Sequence, residues 1–171
     1  MKKLLFLLFV ALFTAEAAHS QQGVVINGVT WAENNVAKRR TFTDNPWDYG
    51  YSYKFKKAQK VCPKGWSVPS HDDIRKLRDQ NRVEYGWTEQ AGVNGMLFTD
   101  KTTGQSIFLP AAGFVNAENT IISTNTQGIY WSERTNYVMG HTLHFDDTHV
   151  SSVNDVILFS DRQSVRCVKE E

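Results

Sequence analysis

Apolar positions along the chain fall into two regimes. From Leu4 to Phe13 they run almost unbroken, and after residue 20 they come in short bursts separated by polar turns. The first burst, "VVINGVTW", places Asn27-Gly28 between two β-favouring triplets. Asn-Gly supplies the positive φ angles of a type I′ turn, so residues 24–31 are expected to form a hairpin. "NPWDYGYS" then marks a turn or loop through Asn45-Pro46 and Gly50. Phe55, Ala58 and Val61 are spaced by three and predict one face of a short helix over about residues 53–61. Tyr51, Tyr53 and Phe55 alternate as a strand would, so the two patterns compete at its start. A second helix has its own start signal. Ser70 followed by Asp73 is a capping-box pattern, Asp72 and Asp73 suit the positive end of the helix dipole, and Ile74 and Leu77 supply the buried stripe.

Beyond residue 90 the pattern reads as β. "MLFTDKTTGQSIFLP" holds two apolar runs joined by Lys101-Thr102-Thr103-Gly104. "GIYWSE" and "HTLHFDDTHVSSV" follow, the latter folding back at Asp146-Asp147. "VNAENTIISTNTQG" between them predicts a long surface loop. "QSVRCVKE" closes the chain, with Val165 and Cys167 on one side and Arg166 and Val168 on the other. Two helices followed by hairpins predict an α+β domain with an antiparallel sheet.

The N-terminus changes the picture. Lys2 and Lys3, the apolar run and the small residues up to Ser20 have the layout of a secretory signal peptide over residues 1–20. The run is shorter than the roughly 20 residues a membrane-spanning helix needs. A single exported domain over residues 21–171 is expected, in the periplasm, on the cell surface or in the medium. Removing Lys2, Lys3 and Glu16 from 19 basic and 18 acidic residues leaves 17 of each. So even a balance offers no footprint for nucleic acid or an anionic membrane surface.

Cys62 and Cys167 are the only cysteines, and export carries both to an oxidising compartment. An even count there favours a disulfide. The alternative is a reactive thiolate at Cys62, with His71 nine positions on. Cys62 stands eight residues before the Ser70 cap, beyond the reach of a helix dipole, and Pro63, Gly65 and Trp66 form a structural corner. The residues therefore favour the bridge.

Five blocks occur in a distinctive order: "NGVTWAENNV", "CPKGWSVPSHDDIRKL", "IFLPAAGF", "GIYWSE" and "SVRCVKE". On these the chain resembles the Fibrobacter succinogenes major paralogous domain, found in exported proteins of Bacteroidetes and related bacteria, over essentially its whole mature length. The spacing of Ala58, Cys62, Gly65 and Val68 before a helix, with a cysteine in the last strand, is also similar to the C-type lectin-like fold. That resemblance implies two short helices packed on antiparallel hairpins, and a bridge from the end of the first helix to the final strand. It implies a buried Trp131 and a ligand surface at about Val115 to Gln127 and after Trp131. The calcium-binding triplets of sugar-binding lectins are absent; "AEN" at 117–119 and "VND" at 153–155 are faint echoes. Calcium-dependent sugar binding is therefore not expected.

Candidate ligand-binding residues are Trp47 and Tyr49 as exposed aromatics, Asn116, Glu118 and Asn119 in the long loop, and Glu133, Arg134 and Asn136 after Trp131. "HTLHFDDTHV" offers His141, His144, Asp146, Asp147 and His149. On a strand, His141 and His144 point to opposite faces, whereas His144 and Asp146 share one and a turn brings His149 near. Those three make at most a weak metal set, and a turn with solvated histidines is the preferred reading. Hydrolase and phosphate-loop signatures are absent, and the free cysteine pair of the formylglycine-generating enzymes has no counterpart if both cysteines are bridged. The expectation is a non-catalytic module that binds a glycan or protein at the cell envelope, without a cofactor. A metal-dependent hydrolase using residues 141–149, or a structural subunit of a surface assembly, are the alternatives.

Overall fold

A computed structural model describes residues 23–134, 140–155 and 160–170; the expected leader lies outside them. Strands β1 (Gly23–Ile26) and β2 (Val29–Ala32) pair about Asn27 and Gly28, whose φ angles of 47° and 78° are those the Asn-Gly turn requires. A loop leads to β3 (Tyr53–Lys54), which runs directly into α1 (Phe55–Ala58). Then come β4 (Trp66–Ser67) and α2 (His71–Leu77). Strands β5 (Val83–Gln90), β6 (Val93–Asp100) and β7 (Ser106–Pro110) form a meander, followed by the small hairpin β8 (Phe114–Val115) and β9 (Ile121–Ile122). A second meander consists of β10 (Gly128–Arg134), β11 (Gly140–Phe145) and β12 (Val150–Asp155), and the chain closes with β13 (Arg162–Gln163) and β14 (Val168–Lys169).

Among the described residues all the ladders between these strands are antiparallel. They make four small sheets, ordered β1-β2-β14-β4, β3-β13-β8-β9, β5-β6-β7 and β10-β11-β12. Mostly antiparallel sheet with two short helices and one disulfide is thus the observed class. The β3-β13-β8-β9 and β1-β2-β14-β4 sheets both draw strands from the two ends of the sequence, so the C-terminal run stitches the fold together.

The same run separates two cores. Trp31 of β2, Tyr130 of β10 and Val168 of β14 face a core with Ile74, Leu77, Phe98 and Phe145. Their neighbours Ala32, Trp131 and Cys167 face a second core with Val36, Phe55, Val61 and Val165. Strand alternation thus sends adjacent residues into different cores, and the central strands are buried on both faces. Cys62 and Cys167 are bridged inside the second core with Cα atoms 6.0 Å apart. Trp131 is fully buried there; its indole N–H donates to the Tyr53 carbonyl at 2.6 Å and its ring meets Phe55 edge-on at 5.1 Å.

Arg166 is fully buried without a carboxylate among its hydrogen-bond partners. Its guanidinium donates to Asn35 Oδ1 (2.8 Å) and to the carbonyls of Ala32 (3.1 Å), Phe108 (3.1 Å) and Glu33. Burial pulls its pKa down to about 10, against the opposing influence of Tyr130 and Glu33. Asn35 in turn donates to the carbonyls of Asp48 and Tyr49 and to the Tyr130 hydroxyl. This buried network pins the loop that carries Trp47 and Tyr49.

Several expectations shift. The first helix keeps a single turn, because residues 53–54 are claimed by the ladder to β13 and Lys54 provides no side-chain cap. The run of hairpins after α2 begins at Val83 rather than beyond residue 90; Gly86 and the glutamates of β5 dilute the alternation of Val83, Tyr85 and Trp87, and the strand is held by an eight-residue ladder to β6. The polar loop at 115–127 folds back on itself as β8 and β9, although its residues remain largely on the surface.

Candidate functional site: a basic groove beside the first helix

Residues 36–42 make a tight loop. Val36 and Phe42 pair as an antiparallel bridge, the Ala37 amide donates to Thr41 O at 2.8 Å, and Thr41 Oγ1 donates to Lys38 O at 2.9 Å. At its tip Arg39 and Arg40 adopt φ angles of 63° and 61°. Left-handed backbone costs a non-glycine residue on the order of 1 kcal/mol or more, so two in succession is a strained arrangement that displays both side chains outward. The buried Tyr53 hydroxyl donates to Ala37 O and ties this loop to β3; burial, and then the nearby Tyr51 hydroxyl, push the Tyr53 pKa up.

Between the loop and α1 lie two adjoining concavities that share Arg39, Tyr53, Lys54 and Lys57 as walls. One, of about 420 Å³, also takes in Lys38, Tyr51 and Arg162. The other adds Arg40, Lys56 and Lys60. Eight cations therefore surround one groove, and no acidic residue is among its described walls. None of the eight forms an ion pair among the described residues. Lys54 and Arg162 face each other across the β3–β13 ladder, which fixes their spacing. Tyr51 is 40% exposed at the mouth of the groove, edge-on to Tyr53 at 4.8 Å, with Lys38 Nζ 5.1 Å from its ring centroid.

No family model, curated protein or solved structure matches the chain. The functional reading rests on the site's own chemistry.

The residues singled out by sequence are not gathered in one place. Trp47 and Tyr49 are half-buried rather than freely exposed. Tyr49 turns toward the 115–127 loop, where its hydroxyl lies 3.4 Å from Asn125 Oδ1, and burial raises its pKa. Asn116 Oδ1 accepts from the Thr120 amide at 2.9 Å inside its own turn, Asn119 holds a left-handed turn position, and Glu118 is exposed. Glu133 is exposed, its amide donating to Pro69 O ahead of α2. Arg134 ends β10; its side chain, and all of Asn136, lie outside the described residues.

The histidine hairpin also divides. His141 is buried, 6% exposed, and stacks on His71 at 4.2 Å, whereas His144 lies at a small polar hollow with Asp146 and His149. Asp146 Oδ1 is occupied by its own turn, accepting from Thr148 N, Thr148 Oγ1 and His149 N, and these bonds lower its pKa. Among the described residues no three His, Cys, Asp or Glu side chains converge as metal ligands. His144, Asp146 and His149 are thus not assembled as a metal set.

The basic groove is what the sequence reading overlooked. An even overall charge hides a segment, residues 38–64, with eight basic residues against Asp44 and Asp48. That local imbalance was the available signal. Only the fold adds Arg162 to it.

Proposed function

We propose that this chain is an exported, non-catalytic binding module of the Fibrobacter succinogenes major paralogous family with C-type lectin-like architecture, and that it holds a glycan at the cell envelope. The bridge from the end of α1 to the last strand, and the capped second helix that follows it, support the architecture. The glycan reading rests on one observation: an exposed Tyr51 at the mouth of a groove walled by cations that form no ion pair among the described residues. An aromatic face packs against the C–H surface of a sugar ring, and flanking cationic side chains donate to its oxygens. On this reading the ligand meets the groove beside α1 rather than the 115–127 loop.

The test is equilibrium binding of the secreted chain to a panel of immobilised neutral and charged glycans, with Tyr51→Ala alongside. Selective binding that the substitution weakens about tenfold, the scale of a 1.4 kcal/mol contact, is expected. Cleavage of a panel member, or binding indifferent to Tyr51, would refute the reading.

A further inference from the structure

We infer that the groove beside α1 takes an acidic polysaccharide, a chain bearing repeated carboxylate or sulfate groups; this rests on the glycan reading above and names its ligand class. The cations are arranged along the groove rather than around a point. Arg39 and Arg40 project from the loop, Lys54 and Arg162 sit across one ladder, Lys57 lies on α1, and Lys60 follows in the turn after it. Like charges held this close repel, and bringing them together is compensated when a bound polyanion supplies counter-charge and releases small ions. The left-handed backbone at Arg39 and Arg40 points the same way, since it sets two exposed cations side by side; Arg40 makes one long hydrogen bond, to the Cys62 carbonyl at 3.4 Å, and neither forms an ion pair among the described residues.

Shape and composition favour a sugar polymer over other polyanions. A lipid surface is flat and calls for apolar side chains that insert, whereas this site is concave. Of the exposed large apolar residues among those described, Val25, Tyr51 and Ile121, only Tyr51 belongs to it. Single-stranded nucleic acid is held by successive bases stacked on several aromatic faces, and here one exposed ring lines the groove. Of the eight cations, five are lysines, point charges that pair with spaced carboxylate or sulfate groups, and three are arginines, whose planar forks grip such groups in two places.

The experiment uses the secreted chain with five probes: a heparin fragment, polygalacturonate, neutral dextran, a single-stranded oligonucleotide, and vesicles containing phosphatidylglycerol. Binding is measured at 50 and 200 mM salt for the wild type, for Lys54→Glu/Lys57→Glu, and for the control Arg82→Glu/Lys101→Glu, whose sites lie away from the groove. The inference expects both acidic polysaccharides to bind more tightly than every other probe. It expects roughly tenfold or greater weakening between the two salt concentrations, a further tenfold loss in the groove variant and none in the control. Dextran binding that is lost with Tyr51→Ala but unmoved by the groove charges would overturn the acidic class and leave the glycan reading standing. Preference for the oligonucleotide or vesicles overturns the polysaccharide assignment, and an absence of binding to any glycan overturns both readings.

Discussion

His141 ties the stability of this domain to pH through a single ring. It is buried, its Nδ1 has no hydrogen-bond partner among the described residues, and it lies nearly parallel to His71, with Glu133 the carboxylate in range. Burial first, then repulsion from His71, lower its pKa below the ordinary 6.5, and Glu133 only partly opposes them. The unfolded chain therefore binds this proton more readily than the native one. Stability is fully present above about pH 6.5 and falls as pH drops from there toward the depressed native value. The urea midpoint should decline between pH 7 and pH 5 in the wild type and stay flatter in His141→Gln; parallel profiles would show that His141 carries no linkage. Asp100 acts in a separate, lower window. Its carboxylate accepts from the amides of Asn27, Thr103 and Thr102, which lowers its pKa below 3.8, so its contribution is lost only in stronger acid.

At the scale of elements, α2 shows local chemistry deciding structure. Ser70 Oγ accepts from the Asp73 amide at 3.1 Å, and Asp73 Oδ2 accepts from the Ser70 amide at 2.8 Å. In a helix of seven residues this reciprocal cap satisfies a large share of the backbone donors, and it holds Ile74 and Leu77 in the first core. Ser70→Ala should cost about 1 kcal/mol, read as a lowered urea midpoint with unchanged m-value. The Asn27-Gly28 hairpin was legible for the same reason: its signal lies within four residues. Strand β5 went unread although Val83, Tyr85 and Trp87 alternate as a strand does; Gly86 and the two glutamates dilute that signal, and the ladder to β6 decides the matter. The two-residue strands β3, β13 and β14 likewise exist only through partners far away in sequence.

For the whole molecule, the Cys62–Cys167 bridge joins positions 105 residues apart. A crosslink across so long a span restricts the unfolded chain strongly, and replacing both cysteines by serine should cost roughly 2–4 kcal/mol. Intact mass should show alkylation at two thiols only after reduction; alkylation of the untreated protein would refute the bridge. The sequence by itself determined the first hairpin, the capped second helix and the pairing of its two cysteines, because turns, caps and cysteine count act at short range or leave few choices; the burial of Trp131 was expected from the resemblance. The tertiary structure alone decided that strand alternation divides two cores, that Arg166 is buried among carbonyls, and that His141 meets His71. It also decided the candidate site. Trp47, Tyr49, Asn116, Glu118, Asn119 and Glu133 were chosen as residue types suited to a ligand, yet type says nothing of convergence. The groove emerged where a loop, a one-turn helix and a strand from the end of the chain bring like charges together. Net charge is a sum over the sequence, whereas a binding surface depends on where the fold sets each charge.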